Sequence, residues 1–115
     1  RLRELNMGDL QGLCANNIQK EFWNLLNYEP LKIHAESLLD FYNRTKSFFD
    51  ELDVSQNVLI VTHGGTIRMV KYLACNLHGF NQKEFEKSIL QFKIQNTEVF
   101  EWNKSKLFHS LLSSE

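Results

Sequence analysis

A chain of 115 residues with a formal net charge of −1 is long enough for one compact domain and too evenly balanced for electrostatic nucleic-acid binding. Its 43% hydrophobic and 23% charged residues are those of an ordinary globular unit, and no repeat, low-complexity tract or Pro/Gly/Ser linker marks a second domain. No apolar run approaches a membrane span, Arg1-Leu2-Arg3-Glu4 lacks the apolar core of a signal peptide, and Cys14 and Cys75 have neither metal nor disulfide-framework spacing, so a reducing cytoplasm is the expected compartment.

The first dozen residues read as loop, with Gly8 and Gly12 around Asp9, Leu10 and Gln11. A helix is predicted from about Asn16 to Asn27, with Ile18, Phe22, Leu25 and Leu26 on its apolar side, and Pro30 prevents it from continuing. Leu38, Phe41 or Tyr42, Thr45, Phe48 or Phe49, and Leu52 then recur at helical spacing behind a Ser37/Asp40 cap, which predicts a second helix. Val58 to Val61 is a short run of apolar β-formers, expected to be a strand covered on both faces of a parallel sheet. From Ile67 the pattern is helical again, with Val70, Leu73, Ala74 and Leu77 on one side and Gly79 as a stop. A short helix near Gln82 to Ser88 follows, and the stretches 98–102 and 107–111 read as two strands of a hairpin turning at Asn103 to Ser105. Helices flanking a parallel strand, with an antiparallel piece at the edge, predict an α/β layered sheet.

The chemistry concentrates in Thr62-His63-Gly64-Gly65-Thr66, between the predicted strand and the helix behind it. Unpaired amide N–H groups and the positive end of a helix dipole point into such a turn, glycines let a phosphate approach the backbone, and an imidazole adds a switchable donor or cation. The bland alternative is a histidine that only caps the helix. No lysine follows the glycines, which excludes the phosphate loop of nucleotide triphosphatases, and no Gly-x-Gly-x-x-Gly fingerprint is present, so the expected ligand is a simple phosphate ester. No cluster of His, Cys, Asp and Glu has ligand spacing, so neither a metal nor another cofactor is expected.

Thr62-His63-Gly64-Gly65-Thr66-Ile67-Arg68 after an apolar run resembles the second histidine motif of the histidine phosphatase superfamily, the phosphoglycerate mutase-like proteins. Leu2-Arg3-Glu4 with Gly8 and Gly12 is similar to that family's Leu-x-Glu segment, Ala35-Glu36-Ser37 through Arg44 to its Gly-Glu-Ser helix start with a following arginine, and Asn96-Thr97-Glu98-Val99 to the step before its closing strand. The departure is Ala35, where glycine is usual. The resemblance implies a three-layer α/β sandwich with a mostly parallel sheet, here partial, and a two-step phosphoryl transfer through a phosphohistidine. It makes Glu4 the proton donor, His63 the second histidine that steadies the phosphoryl oxygens, and the Gly64 amide a phosphate donor. Glu4 read by itself is a solvated loop charge. A carboxyl group beside a bound phosphate is held protonated by the neighbouring negative charge, which suits it to protonate a departing oxygen.

The family's nucleophile lies in an Arg-His-Gly motif on the first strand, and that tripeptide occurs nowhere in this sequence. His78 reads as a helix C-cap, His34 as a loop residue and His109 as a hairpin surface residue, so none replaces it. The chain therefore reads as the C-terminal part of a histidine phosphatase-like domain, expected to be inactive alone, whose parent hydrolyses phosphomonoesters of small metabolites. A mutase-type phosphoryl transfer and a non-catalytic phosphate-binding or interaction module are the alternatives. A sheet lacking its first strand would carry an exposed edge that invites pairing with another chain, as a homodimer or a swapped assembly. Neither nucleic acid nor membrane is an expected partner.

Overall fold

The structure, a computed structural model, describes residues 1–53, 55, 57–75 and 79–91. Ser37 sets the start of a long helix: its side-chain oxygen accepts a hydrogen bond from the Asp40 amide at 3.0 Å, satisfying one of the donors that a helix start leaves open. That helix follows a shorter one, so the two are α1 (Lys20–Tyr28) and α2 (Leu38–Glu51). Leu38, Phe41, Tyr42, Thr45 and Phe49 of α2 are buried at helical spacing, and the buried Thr45 hydroxyl donates to the Phe41 carbonyl at 2.8 Å. The sequence expectation for α2 is met.

Helix α1 begins later than its pattern predicts. Ala15–Asn17 forms a separate 3-10 turn, and Ile18 and Gln19 have extended backbone between the two. Leu26 is buried as expected, whereas Phe22 is 42% exposed. Pro30 does more than stop the helix, since it opens a 3-10 turn, Pro30–Ile33, at a position where no amide N–H is needed.

Two more helices complete the described residues, α3 (Gly64–Cys75) and α4 (Gln82–Gln91). α2 packs on α3, and α3 on α4, around Leu38, Phe41, Tyr42, Met69, Tyr72, Leu73 and Phe85. Each such side chain contributes roughly 1.5–3 kcal/mol on burial. Tyr72 is the hub of this cluster: its ring meets those of Tyr42, Phe80 and Phe85 edge-on, and its hydroxyl accepts from the Asn81 amide at 2.7 Å, so the polar tip is satisfied in a fully buried site. A second cluster, Leu10, Leu26, Ile33 and Ala35, ties α1 and the Pro30–Ile33 turn to the N-terminal loop. Leu5 packs against both clusters.

The α/β three-layer sandwich with a mostly parallel sheet is overturned here: the described residues are helical, with no strand or sheet among them. Residues 57–63 carry no regular structure, and Val58, Leu59 and Val61 are exposed. The physical reason is that β-formers become a strand only when their N–H and C=O groups ladder with a second strand, and among the described residues none does so. The sheet edge expected to recruit another chain is accordingly not formed among these residues. The predicted hairpin at 98–111, the segment at Asn96 to Val99, His78 and His109 all lie outside the described residues.

Candidate active site

Helix α3 starts at Gly64, three residues before the first position its apolar pattern marks, and the His63 carbonyl accepts its first helical hydrogen bond from the Ile67 amide at 3.0 Å. His63 thus stands at the mouth of the helix with an exposed imidazole. The anion already at that mouth is Glu4. Its Oε2 accepts from the Gly65 amide at 3.0 Å, and its Oε1 from the Leu5 amide at 3.0 Å. A carboxylate suits this position because open amide N–H groups and the helix dipole both favour negative charge there. Glu4 and the His63 turn, far apart in sequence, are therefore neighbours, joined through the second residue after His63.

Gly65 is what permits the approach. A Cβ on that residue would lie 2.3 Å from Glu4 Oε1 and 2.9 Å from the carboxyl carbon, so any side chain would drive Glu4 out. The family resemblance implies Gly64 as the phosphate donor. In the structure Gly64 is the first residue of α3, and the amide engaged with a carboxylate is that of Gly65.

The loop carrying Glu4 is fastened by hydrogen bonds to successive carbonyls. Arg44 on α2 donates from Nη1 to the Arg1 and Arg3 carbonyls at 2.6 and 2.8 Å and from Nη2 to the Glu4 carbonyl at 3.0 Å. Thr62 donates its hydroxyl to the Leu2 carbonyl, and the buried Thr66 hydroxyl donates to the Arg3 carbonyl at 3.2 Å. Every carbonyl from Arg1 to Glu4 thus has a donor from α2, from the start of α3 or from Thr62 just before it. Arg44 is itself held by a two-pronged pair with Glu36, Nε to Oε2 at 2.7 Å and Nη2 to Oε1 at 2.9 Å, and its guanidinium lies over the Phe41 ring at 4.6 Å.

Glu36 fixes the next stretch of the same loop, because its Oε1 accepts from the Asn6 amide at 3.2 Å and its own amide donates to the Asn6 carbonyl at 2.8 Å. Burial works to raise the Glu36 pKa, but the Arg44 hydrogen bonds and charge, with the Asn6 amide, outweigh it and hold the carboxyl below its ordinary value. The stability this group supplies is present above the ordinary value of 4.5 and is lost as pH falls through the depressed folded-state value. The difference in urea midpoint between wild type and Glu36→Gln is expected to be constant above that range and to shrink with acid. A difference that grows on acidification would contradict the pairing.

Sequence reasoning placed Glu4 and His63 at the site and gave Glu36 and Arg44 no role there. Glu36 lies just before the Ser37 cap and Arg44 eight positions on, within α2, so no helical pairing rule signals their ion pair, and no pattern announces which distant carbonyls a guanidinium meets. Among the described residues no three His, Cys, Asp or Glu side chains group as metal ligands, and no helix is long and apolar enough to cross a membrane. His34 of the predicted loop has left-handed backbone at φ 55° and approaches Asp9 at 3.2 Å.

The Glu4 carboxyl and the His63 backbone thus meet at the start of α3. The family model of the histidine phosphatase superfamily (branch 1) matches residues 1–107, and the chain belongs to that family. A Hydrogenobacter thermophilus protein named "Putative phosphoserine phosphatase 2" is 33% identical over 85 residues, covering 61% of this chain. The aligned chain spans 38% of that relative's length. No solved structure matches the chain.

Proposed function

We propose that this chain forms part of a phosphomonoesterase that works through a phosphohistidine intermediate on small phosphorylated metabolites. The observation that carries the reading is the Glu4 carboxyl seated on the Gly65 amide, beside His63 at the start of α3. Family membership and the name of the Hydrogenobacter thermophilus relative support it, and phosphoserine becomes the first ester to try.

In this reading the nucleophilic histidine comes from an Arg-His-Gly segment, which residues 1–115 do not include. Its imidazole nitrogen forms the new bond to phosphorus as the bond from phosphorus to the ester oxygen breaks. Glu4 gives its proton to the departing oxygen. His63 and the Gly64 amide bind the equatorial phosphoryl oxygens, where negative charge concentrates in the transition state. Water then attacks phosphorus as the phosphorus–nitrogen bond breaks, the Glu4 carboxylate takes a proton from that water, and phosphate leaves with the histidine restored. Residues 1–115 alone are expected to bind phosphate without turnover.

The test compares the complete protein with residues 1–115 on O-phosphoserine and para-nitrophenyl phosphate, and examines both for an acid-labile phosphohistidine. Turnover and a trapped intermediate are expected for the complete protein only. Absence of both from the complete protein would sink the reading. Glu4→Gln is expected to lower kcat on phosphoserine by about 100-fold or more and to leave the activated aryl ester within about 10-fold, because only the alkyl oxygen needs a proton to leave. Equal losses on the two esters would remove the acid role.

A further inference from the structure

We propose that the part-buried Glu36–Arg44 pair is a positioning device for the proton donor, holding Glu4 at the height of the α3 mouth. This rests on the reading of Glu4 as the acid. The geometry is specific. Arg44 donates to the carbonyl of Glu4 itself as well as to those of Arg1 and Arg3, so the backbone from which the carboxyl hangs is referenced directly to α2. The carboxyl at the other end of that residue is referenced to α3 through Gly65. Glu4 is thus gripped at its carbonyl by one helix and at its side chain by another.

Glu36 completes the device. Its two oxygens take Nε and Nη2 of Arg44, which fixes the plane of the guanidinium and so the direction in which the remaining N–H groups point. The pair is shielded, with 13% of the Arg44 side chain and 10% of the Glu36 side chain exposed, so solvent does not loosen it as it would a surface pair. Glu36 also holds Asn6 by two hydrogen bonds, which fixes the chain on the far side of Glu4. Leu5 packs against both apolar clusters, while the Glu4 backbone between it and exposed Arg3 is held by these polar contacts. A proton donor displaced by an ångström from a leaving oxygen loses much of its effect. Arg44 and Glu36 touch no reacting atom and act through Glu4.

The discriminating variant is Arg44→Lys in the complete protein. It keeps the charge, but a compact ammonium cannot serve both Glu36 oxygens and three carbonyls at once. Expected is a fall of about 10- to 100-fold in kcat on O-phosphoserine, with KM and the rate on para-nitrophenyl phosphate within about threefold. Glu36→Gln should shift the two esters in the same unequal way by a smaller factor. Because Arg44 acts through Glu4, the Glu4→Gln/Arg44→Lys double variant should lose no more on phosphoserine than Glu4→Gln alone.

A uniform loss on both esters in Arg44→Lys, or failure of both single variants to fold, would assign the pair to the scaffold and overturn the proposal. If Glu4→Gln separates the two esters and Arg44→Lys does not, the positioning role alone is wrong. If Glu4→Gln does not separate them, or the complete protein hydrolyses neither, the acid role or the phosphatase reading falls first and the proposal with it.

Discussion

His63→Ala in the complete protein is expected to lower kcat on phosphate esters by about 100- to 1,000-fold, the usual loss when one donor to a developing phosphoryl or acyl oxygen is removed. The fold should hardly notice. The imidazole is exposed at the end of an irregular segment, and the contact His63 makes to α3 runs through its carbonyl, which alanine retains. A change in unfolding free energy within about 0.5 kcal/mol is expected, as for surface positions generally. Steady-state kinetics and thermal unfolding on the same preparation test both halves. Wild-type kcat would remove His63 from the site, and a collapse of the melting transition would show that its side chain supports the fold.

Gly8→Ala carries the largest expected effect on stability. Gly8 has φ +56°, and a Cβ there would lie 2.1 Å from the Ile33 carbonyl oxygen, 2.5 Å from the His34 carbonyl carbon and 2.6 Å from the Ala35 amide nitrogen. All of these are backbone atoms of the segment that leads into Glu36, and none can swing aside as a side-chain tip could. Left-handed strain of roughly 1 kcal/mol and overpacking of roughly 1–3 kcal/mol combine to a loss of about 2–4 kcal/mol. Gly12 offers a control within the same loop: its φ is +83°, but nothing lies within 4 Å of its virtual Cβ, so Gly12→Ala should lose only the strain. Urea unfolding of the two variants side by side measures the difference. Equal midpoints would mean that the loop does not press on Ile33–Ala35 in solution.

The elements legible in the sequence are those whose signal is local. Helix α2 announces itself through Ser37, Asp40 and the apolar series from Leu38 to Phe49, and α3 and α4 through similar spacing. Their ends were less legible: α3 starts at Gly64 because the helix runs back through both glycines, which carry no apolar mark. The run at Val58 to Val61 fails as a strand prediction for a different reason. Its composition reports what the segment suits, whereas a strand is a relation between two segments, and the described residues include no ladder for it.

The site divides along the same line. His63 and its glycines were visible as a turn chemistry, and Glu4 only through the likeness of its segment to the family pattern. That the two meet depends on Gly65 having no side chain and on Arg44, Thr62 and Thr66 reaching back to a loop some forty to sixty positions earlier. Contacts of a side chain with a remote backbone leave no periodicity and no motif.

The fastening of residues 1–4 also governs how the protein responds to cleavage. A protease that cut between Glu4 and Leu5 would free the segment whose carbonyls accept three of the Arg44 hydrogen bonds. Its departure would leave a guanidinium that is 13% exposed short of partners, and buried donors left unmade cost about 1–3 kcal/mol each. Damage at the surface loop would then be registered on α2 as loosened helix, so the amide exchange of residues around Arg44 reports whether the N-terminal loop is still in place.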